Sequence, residues 1–389
     1  MKRLFIWIGV VAAVWMVSGC STVDSKDKTA PVILLKGNNP FYLEEEQTYV
    51  EPGASATDNL LGIVDVSISG EVNTSQPGTY TITYTASDAA GNTATETRTV
   101  IVRKDYTRLR YTPVRDPATG LIDDEAVVYY PQNAIRSSMP VVVFLEGGGS
   151  GPHIDDYRGM MEYLAAQGYY VIGAEQGESY DSSFGAAIVD RRIAAAIDAH
   201  GLQVDNLAVM GHSQGGGQAF YVMKHLQDAG YGTTGSLTLS IDGWFAFGMN
   251  KADLAALQGR VAFLQMNGTA GTGTDPRIHL TIWDLALNTE RMFMTLPEND
   301  HMYVAGSLED LTRHKQDILR IVGALTDDAF QNTDTGYEAL PEEYKSSYQA
   351  IFDALKPYDT YSGDCAGVHY DANSTLKNND IDYCTMGQD

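Results

Sequence analysis

Two patterns of apolar and polar positions divide the chain. From residue 29 to Arg103 the apolar residues come in short alternating runs. In "TYTITYTASD", Tyr80, Ile82 and Tyr84 take turns with threonines, the period of two that buries one face of a strand. "TETRTVIVR" repeats the pattern, and "AAGN" between the two runs reads as a hairpin turn. Pro52-Gly53 and Pro77-Gly78 punctuate further turns. With no helical period in it, residues 29–103 are expected to form a small β-sandwich.

From Asp105 the period changes. "PVVVFLEGGG" is an unbroken β-branched run ending in glycines, as a strand covered on both faces reads. "DYRGMMEYLAAQG" spaces Met160, Tyr163 and Leu164 at helical intervals and stops at Gly168, a C-cap signal. "YYVIGAE" and "NLAVMGHS" predict further buried strands, with "AIVDRRIAAAIDAHG" as the helix between them. "QAFYVMKHL" is helical, and "SLTLSIDGWF", "VAFLQMNG" and "RMFMTLPE" continue the strands. Alternating strands and helices predict a mostly parallel sheet with helices on both faces, an α/β domain spanning 105–325.

Gly211-His212-Ser213-Gln214-Gly215 matches G-x-S-x-G at the junction of a buried strand and a helix. That is the setting of a nucleophile elbow: a sharp turn lifts the serine hydroxyl and leaves room only for glycines around it. The helix start behind Ser213 offers N–H groups and a positive dipole end to an oxyanion. The expected donors are the backbone N–H of Gln214 and that of Gly148 in the glycine loop after "PVVVFLE". A triad in the order serine, acid, histidine places the base at His301, after the last strand in "LPENDHMYV". The acid is expected at Asp275 in "NGTAGTGTDPRI", with Asp242 at the end of "LSIDGWF" as the alternative. The acid fixes the imidazole tautomer and steadies the imidazolium that forms. His279 and His314 are weaker candidates for the base. This chemistry calls for no metal and no other cofactor.

Charge and termini place the molecule. With 50 acidic against 26 basic residues the net charge is −24, which argues against a nucleic-acid partner. Lys2 and Arg3 precede the apolar run Leu4 to Val17, which ends in Val17-Ser18-Gly19-Cys20. A charged start, a short apolar stretch and small residues before a cut describe a secretory signal. It resembles a bacterial lipoprotein signal, implying residues 1–19 as signal, an acylated Cys20 as membrane anchor and 20–28 as tether. Ser21 after the cysteine then implies sorting to the outer membrane of the cell envelope. With Cys20 lipidated, Cys365 and Cys384 are left as an even pair in an oxidising compartment, the expected disulfide. Closing a loop of about 20 residues contributes on the order of 3 kcal/mol. Residues 326–389 form an acidic, aromatic extension. Asp371, Asn373, Thr375 and Asp382 approach calcium-loop spacing, but Leu376 stands where such a loop needs glycine, so no metal site is expected there.

"APVILLKGNNPFYLEEEQTYVEPGASATDN" and "ISGEVNTSQPGTYTITYTASDAAGNTATETRTVIV" resemble bacterial Ig-like domains of surface proteins, which implies a stalk or adhesion module without catalysis. The segment departs where the family has Asp-Gly after "ATDN", since Leu60-Leu61-Gly62 stands there. "GHSQGGGQA" and "NDHM" make residues 105–325 similar to the α/β-hydrolases, nearest the dienelactone-hydrolase-like and polyester-hydrolase or cutinase-type esterases. Glu146 stands where many relatives have a histidine before the oxyanion glycines, a change that bears on substrate charge preference. The resemblance implies a serine esterase acting through an acyl-enzyme. Its substrate would be an ester, such as one borne on a polyester, lipid or acylated polysaccharide too large to enter the cell. A peptidase or amidase would use the same triad. An adhesion lipoprotein with a retired hydrolase fold is the non-catalytic alternative.

Overall fold

The computed structural model describes residues 27–60, 62–116, 126–148, 153–174, 182–244, 246, 248–267, 276–297, 301–346 and 350. The chain divides into two compact units between Arg103 and Lys104. Cys20, Cys365 and Cys384 lie outside the described residues, as do the signal and the calcium-like stretch.

The first unit is a β-sandwich. Strands β1 (Val32–Leu35), β3 (Ala54–Asp58) and β4 (Gly62–Val64) make one sheet; β2 (Phe41–Glu44), β7 (Thr93–Arg103), β6 (Gly78–Ser87) and β5 (Val66–Ser69) make the other. The alternation read from the sequence has its cause here. Ile82, Tyr84 and Ala86 of β6 are buried while the threonines between them are not, and β7 contributes Val100 and Val102 to the same core. The long hairpin pairs Gly78 with Val102 through to Ser87 with Thr93, with Asp88–Asn92 making the turn.

In the second unit eight strands form one sheet. In spatial order they are β15 (Glu290–Pro297), β14 (Arg260–Asn267), β13 (Gly235–Ile241), β12 (Asn206–His212), β10 (Val141–Leu145), β11 (Tyr170–Ala174), β9 (Ala126–Pro131) and β8 (Pro113–Asp116). From β10 to β15 the neighbours run parallel; β9 and β8 join antiparallel at one edge. Alternate residues of β10 feed two cores. Val141, Val143 and Leu145 pack on one face with α2 (Ser182–His200), α3 (Gln214–Asp228), α4 (Lys251–Ala256) and α5 (Pro276–Leu285). Val142 and Phe144 pack on the other with α1 (Arg158–Gln167), α6 (Leu308–His314) and α7 (Gln316–Gln331). Burial on both faces is why these strands read as continuous apolar runs.

The domain boundary expected at residue 325 falls inside α7. Beyond α7, α8 (Thr335–Ala339) and the turn Glu342–Tyr344 follow, and Ser346 N–H donates to Phe293 O of β15. The second unit thus includes residues that the sequence assigns to the extension. Among the described residues no helix is long and apolar enough to cross a membrane.

Candidate active site

Serine 213 sits where β12 ends and α3 begins, with φ 53° and ψ −119°. A left-handed conformation at a residue bearing a Cβ costs on the order of 1–3 kcal/mol and persists only where its surroundings enforce it. Here they do. A Cβ on Gly211 would lie 2.4 Å from the Gly215 carbonyl, and one on Gly215 would lie 2.2 Å from the Glu146 oxygen. The two glycines of the pentapeptide are therefore steric requirements of the elbow. Hydrogen bonds hold the turn as well: Ser213 N–H donates to Ile241 O, and Trp244 N–H donates to Ser213 O, both at 3.0 Å.

Gly148 and Gln214, the expected oxyanion donors, lie against each other. A Cβ on Gly148 would fall 1.3 Å from Gln214 Oε1, so any side chain there would displace the Gln214 amide. Gln214 opens α3, where the first-turn N–H groups have no partner within the helix. The Glu146 side chain is buried at the end of β10 rather than displayed as a free surface charge.

His301 follows β15 and is brought to the elbow: its ring centroid is 4.3 Å from that of His212, the residue before Ser213. Its Nδ1 lies 2.5 Å from Asp242 Oδ2. Asp242 is fully buried just beyond β13, itself at φ 43°. Its second oxygen accepts from Gln265 Nε2 at 2.6 Å and from Met266 N–H at 3.2 Å. The carboxylate is thus held on one side and offered to the imidazole on the other. Of the two acids the sequence offers, Asp242, the alternative, is the one that meets His301 Nδ1; Asp275, the first choice, lies outside the described residues.

His279, a weaker candidate for the base, has a different place. It is buried in α5, where Nε2 accepts from Gly243 N–H at 3.1 Å and lies 3.1 Å from Ser240 Oγ. It meets the Ser240 side chain before Asp242 and the Gly243 backbone N–H after it. Burial lowers its pKa to about 4, against the pull of Asp242, so the ring stays neutral in this position. His212 is lowered to about 3, first by burial and then by the charge of His301.

Sequence reading missed Tyr157. Its hydroxyl accepts from Gly147 N–H at 3.1 Å and lies 2.7 Å from His212 Nδ1. Nothing local marks a tyrosine ending the short turn Ile154–Tyr157 as part of a site built 55 residues later. Around the site, Trp244, Met302 and Tyr303 are exposed large apolar side chains, each a near neighbour in sequence of Asp242 or His301.

Serine, histidine and aspartate all stand at the carboxyl ends of parallel strands, where open α/β sheets bind ligands. The arrangement can hold an imidazole in one tautomer beside a serine raised on a strained turn. As for metals, the one group of carboxylates among the described residues with ligand atoms within 4.8 Å of one another is Asp27, Asp58 and Asp88, in the first unit.

Comparison with known proteins gives a family match within the first unit. The family described as "Bacterial surface protein, Ig-like domain" matches residues 33–102. No curated protein matches the chain. Among solved structures, esterase B from Lactobacillus rhamnosis with a C4-C4 SN3 tributyrin phosphonate is similar at 15% identity and a TM-score of 0.42, covering 59% of this chain and 90% of that one. The same esterase with a C6-C4 SN3 inhibitor is similar at 14% identity and a TM-score of 0.41, covering 59% and 92%. No residue role is carried over from either. The second unit is itself a mostly parallel eight-stranded sheet flanked by helices, with Ser213 on the turn between β12 and α3.

Proposed function

We propose that this chain is a serine hydrolase of carboxylic esters, with Ser213 as nucleophile, His301 as base and Asp242, in place of Asp275, as the acid of the triad. The observation that carries the reading is the Asp242–His301 hydrogen bond of 2.5 Å beside a serine held at φ 53° between strand and helix. His301 takes the hydroxyl proton as Ser213 Oγ attacks the ester carbonyl. The negative charge that develops on the carbonyl oxygen is met by the N–H groups of Gln214 and Gly148. The alcohol leaves with the proton returned by His301, and water then attacks the acyl-enzyme by the same route in reverse.

The exposed Trp244, Met302 and Tyr303 favour an apolar acyl or alcohol portion over a charged one. A cell-surface or secreted location is supported by the surface-protein description of the family matched at 33–102. Lipid on Cys20, a Cys365–Cys384 bridge and a polymeric ester substrate complete the reading as parts of this proposal. The test is hydrolysis of p-nitrophenyl acetate, butyrate and octanoate by the lipid-free chain beside Ser213→Ala. Saturable turnover lost in the variant supports the esterase, and equal background rates in both proteins overturn it.

A further inference from the structure

Tyr157 and His212 form a hydrogen-bonded unit that the triad mechanism leaves unused. Tyr157 is fully buried and His212 nearly so. The tyrosine ring is fixed by Phe144 of β10 at 5.2 Å and by the His212 ring at 5.6 Å, centroid to centroid. Its oxygen accepts the Gly147 N–H, and His212 Nδ1 is the acceptor within reach of its one proton. With that nitrogen as acceptor, the ring proton sits on Nε2. Three pieces of the site meet in this unit. Gly147 adjoins the expected oxyanion donor Gly148. His212 adjoins Ser213. The other face of the site is His301, whose ring packs on His212 at 4.3 Å.

The space is tight enough for the contact to set position. A Cβ on Gly147 would stand 2.8 Å from Tyr157 Oη and 3.5 Å from Ser213 Cβ. The Gly147–Gly148 loop therefore hangs between a tyrosine hydroxyl and the nucleophile, and the hydroxyl supplies the one side-chain anchor seen for the Gly147 N–H. Oxyanion donors act through placement: a donor is effective only when aimed at the oxygen of the transition state, and a small displacement forfeits much of its effect.

We propose that Tyr157 and His212 are positioning residues, a buried clamp that fixes the oxyanion loop at Gly147–Gly148 to the nucleophile elbow and gives His301 a fixed wall to pack on. This rests on the esterase reading, and its test separates the two. Wild type and Ser213→Ala are assayed first on p-nitrophenyl butyrate; without Ser213-dependent turnover the esterase reading fails and the clamp fails with it.

Given that turnover, Tyr157→Phe keeps the ring and removes the anchor. It is expected to lower kcat by about 10- to 100-fold with KM within about twofold, since the substrate still binds and the loss falls on the transition state. His212→Asn keeps an acceptor at the Nδ1 position and His212→Gln does not, so Asn is expected to recover most of the turnover that Gln loses. The double variant Tyr157→Phe/His212→Gln should cost little more than either single change, because both break one unit. Circular dichroism on each variant establishes that the folded protein is being assayed, and the Asn/Gln contrast stands even if Tyr157→Phe fails to fold. Nitrogen NMR of labelled histidine in the wild-type chain reads the tautomer without substrate, and the Nε2–H form of His212 is expected. A kcat for Tyr157→Phe within twofold of wild type, a loss confined to KM, equal losses in Asn and Gln, or an Nδ1–H tautomer would each overturn the clamp.

Discussion

Two buried polar networks, one in each unit, are built in different ways. In the first, Arg98 is wholly inside and wholly satisfied. Its guanidinium donates to Tyr84 Oη at 2.8 Å, to Lys36 O at 2.5 Å and to Asn38 O, with Glu51 3.6 Å away. Glu51 in turn accepts from Tyr49, Tyr84 and Gly53. Each of the three guanidinium nitrogens has an acceptor. In the second unit the buried ring nitrogens His212 Nε2 and His279 Nδ1 have no hydrogen-bond partner, and Ser213 and Asp242 both adopt left-handed backbone. A structural network saturates its groups, because an unpaired buried polar atom costs about 1–3 kcal/mol. A site that acts on a ligand tolerates strain and open valences. The contrast is between these two networks and not between whole units, since Arg103 Nε in the first unit also lacks a hydrogen-bond partner and Glu46 there is left-handed too.

Substitutions can break this contrast, the strongest first. Ser213→Ala should reduce kcat on p-nitrophenyl esters by about 10⁶-fold while the protein stays folded. Asp242→Asn should cost about 10⁴-fold, since the amide leaves the imidazole in the wrong tautomer. Asp275→Asn in the same assay should stay within a few-fold of wild type. In the first unit Arg98→Met should leave turnover unchanged. It should instead lower protection of the β6 and β7 amides in hydrogen exchange by about 3 kcal/mol, because Glu51 loses its cation.

The smallest effect is a slope with pH. His212 and His279 are lowered to about 3 and about 4 in the fold, against about 6.5 unfolded. Below about 6.5 the unfolded chain binds protons that the folded one refuses. Stability is therefore complete above pH 6.5 and falls as the pH drops toward 4, by about 1.4 kcal/mol per pH unit for each histidine. Denaturant titrations at pH 7 and pH 5 measure the loss, and His279→Gln should flatten the slope.

What was legible in the sequence follows from what is local. The elbow was, because the β12 run, the two glycines and the α3 helix are contiguous in the chain. The buried runs of β10 to β15 were, because two-sided burial leaves unbroken apolar stretches. The sequence reading leaves out strands β8 and β9, two short runs that pair antiparallel with each other at the edge of the sheet. Helix α7 carried its signal in Ile318, Ile321, Val322 and Leu325, but the sequence was divided through it. The acid was the hardest. Asp242 and Asp275 each follow a strand in polar surroundings, and what favours Asp242 is a left-handed turn, Gln265 and the Met266 N–H. Those partners lie more than twenty residues away, and no local pattern reports them. Tyr157 was invisible for the same reason.

The central claim is that Ser213 is an activated nucleophile. Incubating the wild-type chain with a fluorophosphonate and mapping the adduct by peptide mass spectrometry tests it most directly. The account predicts a single stoichiometric adduct on Ser213, formed far more slowly in Asp242→Asn. An unlabelled protein, or an adduct on another residue, would contradict it.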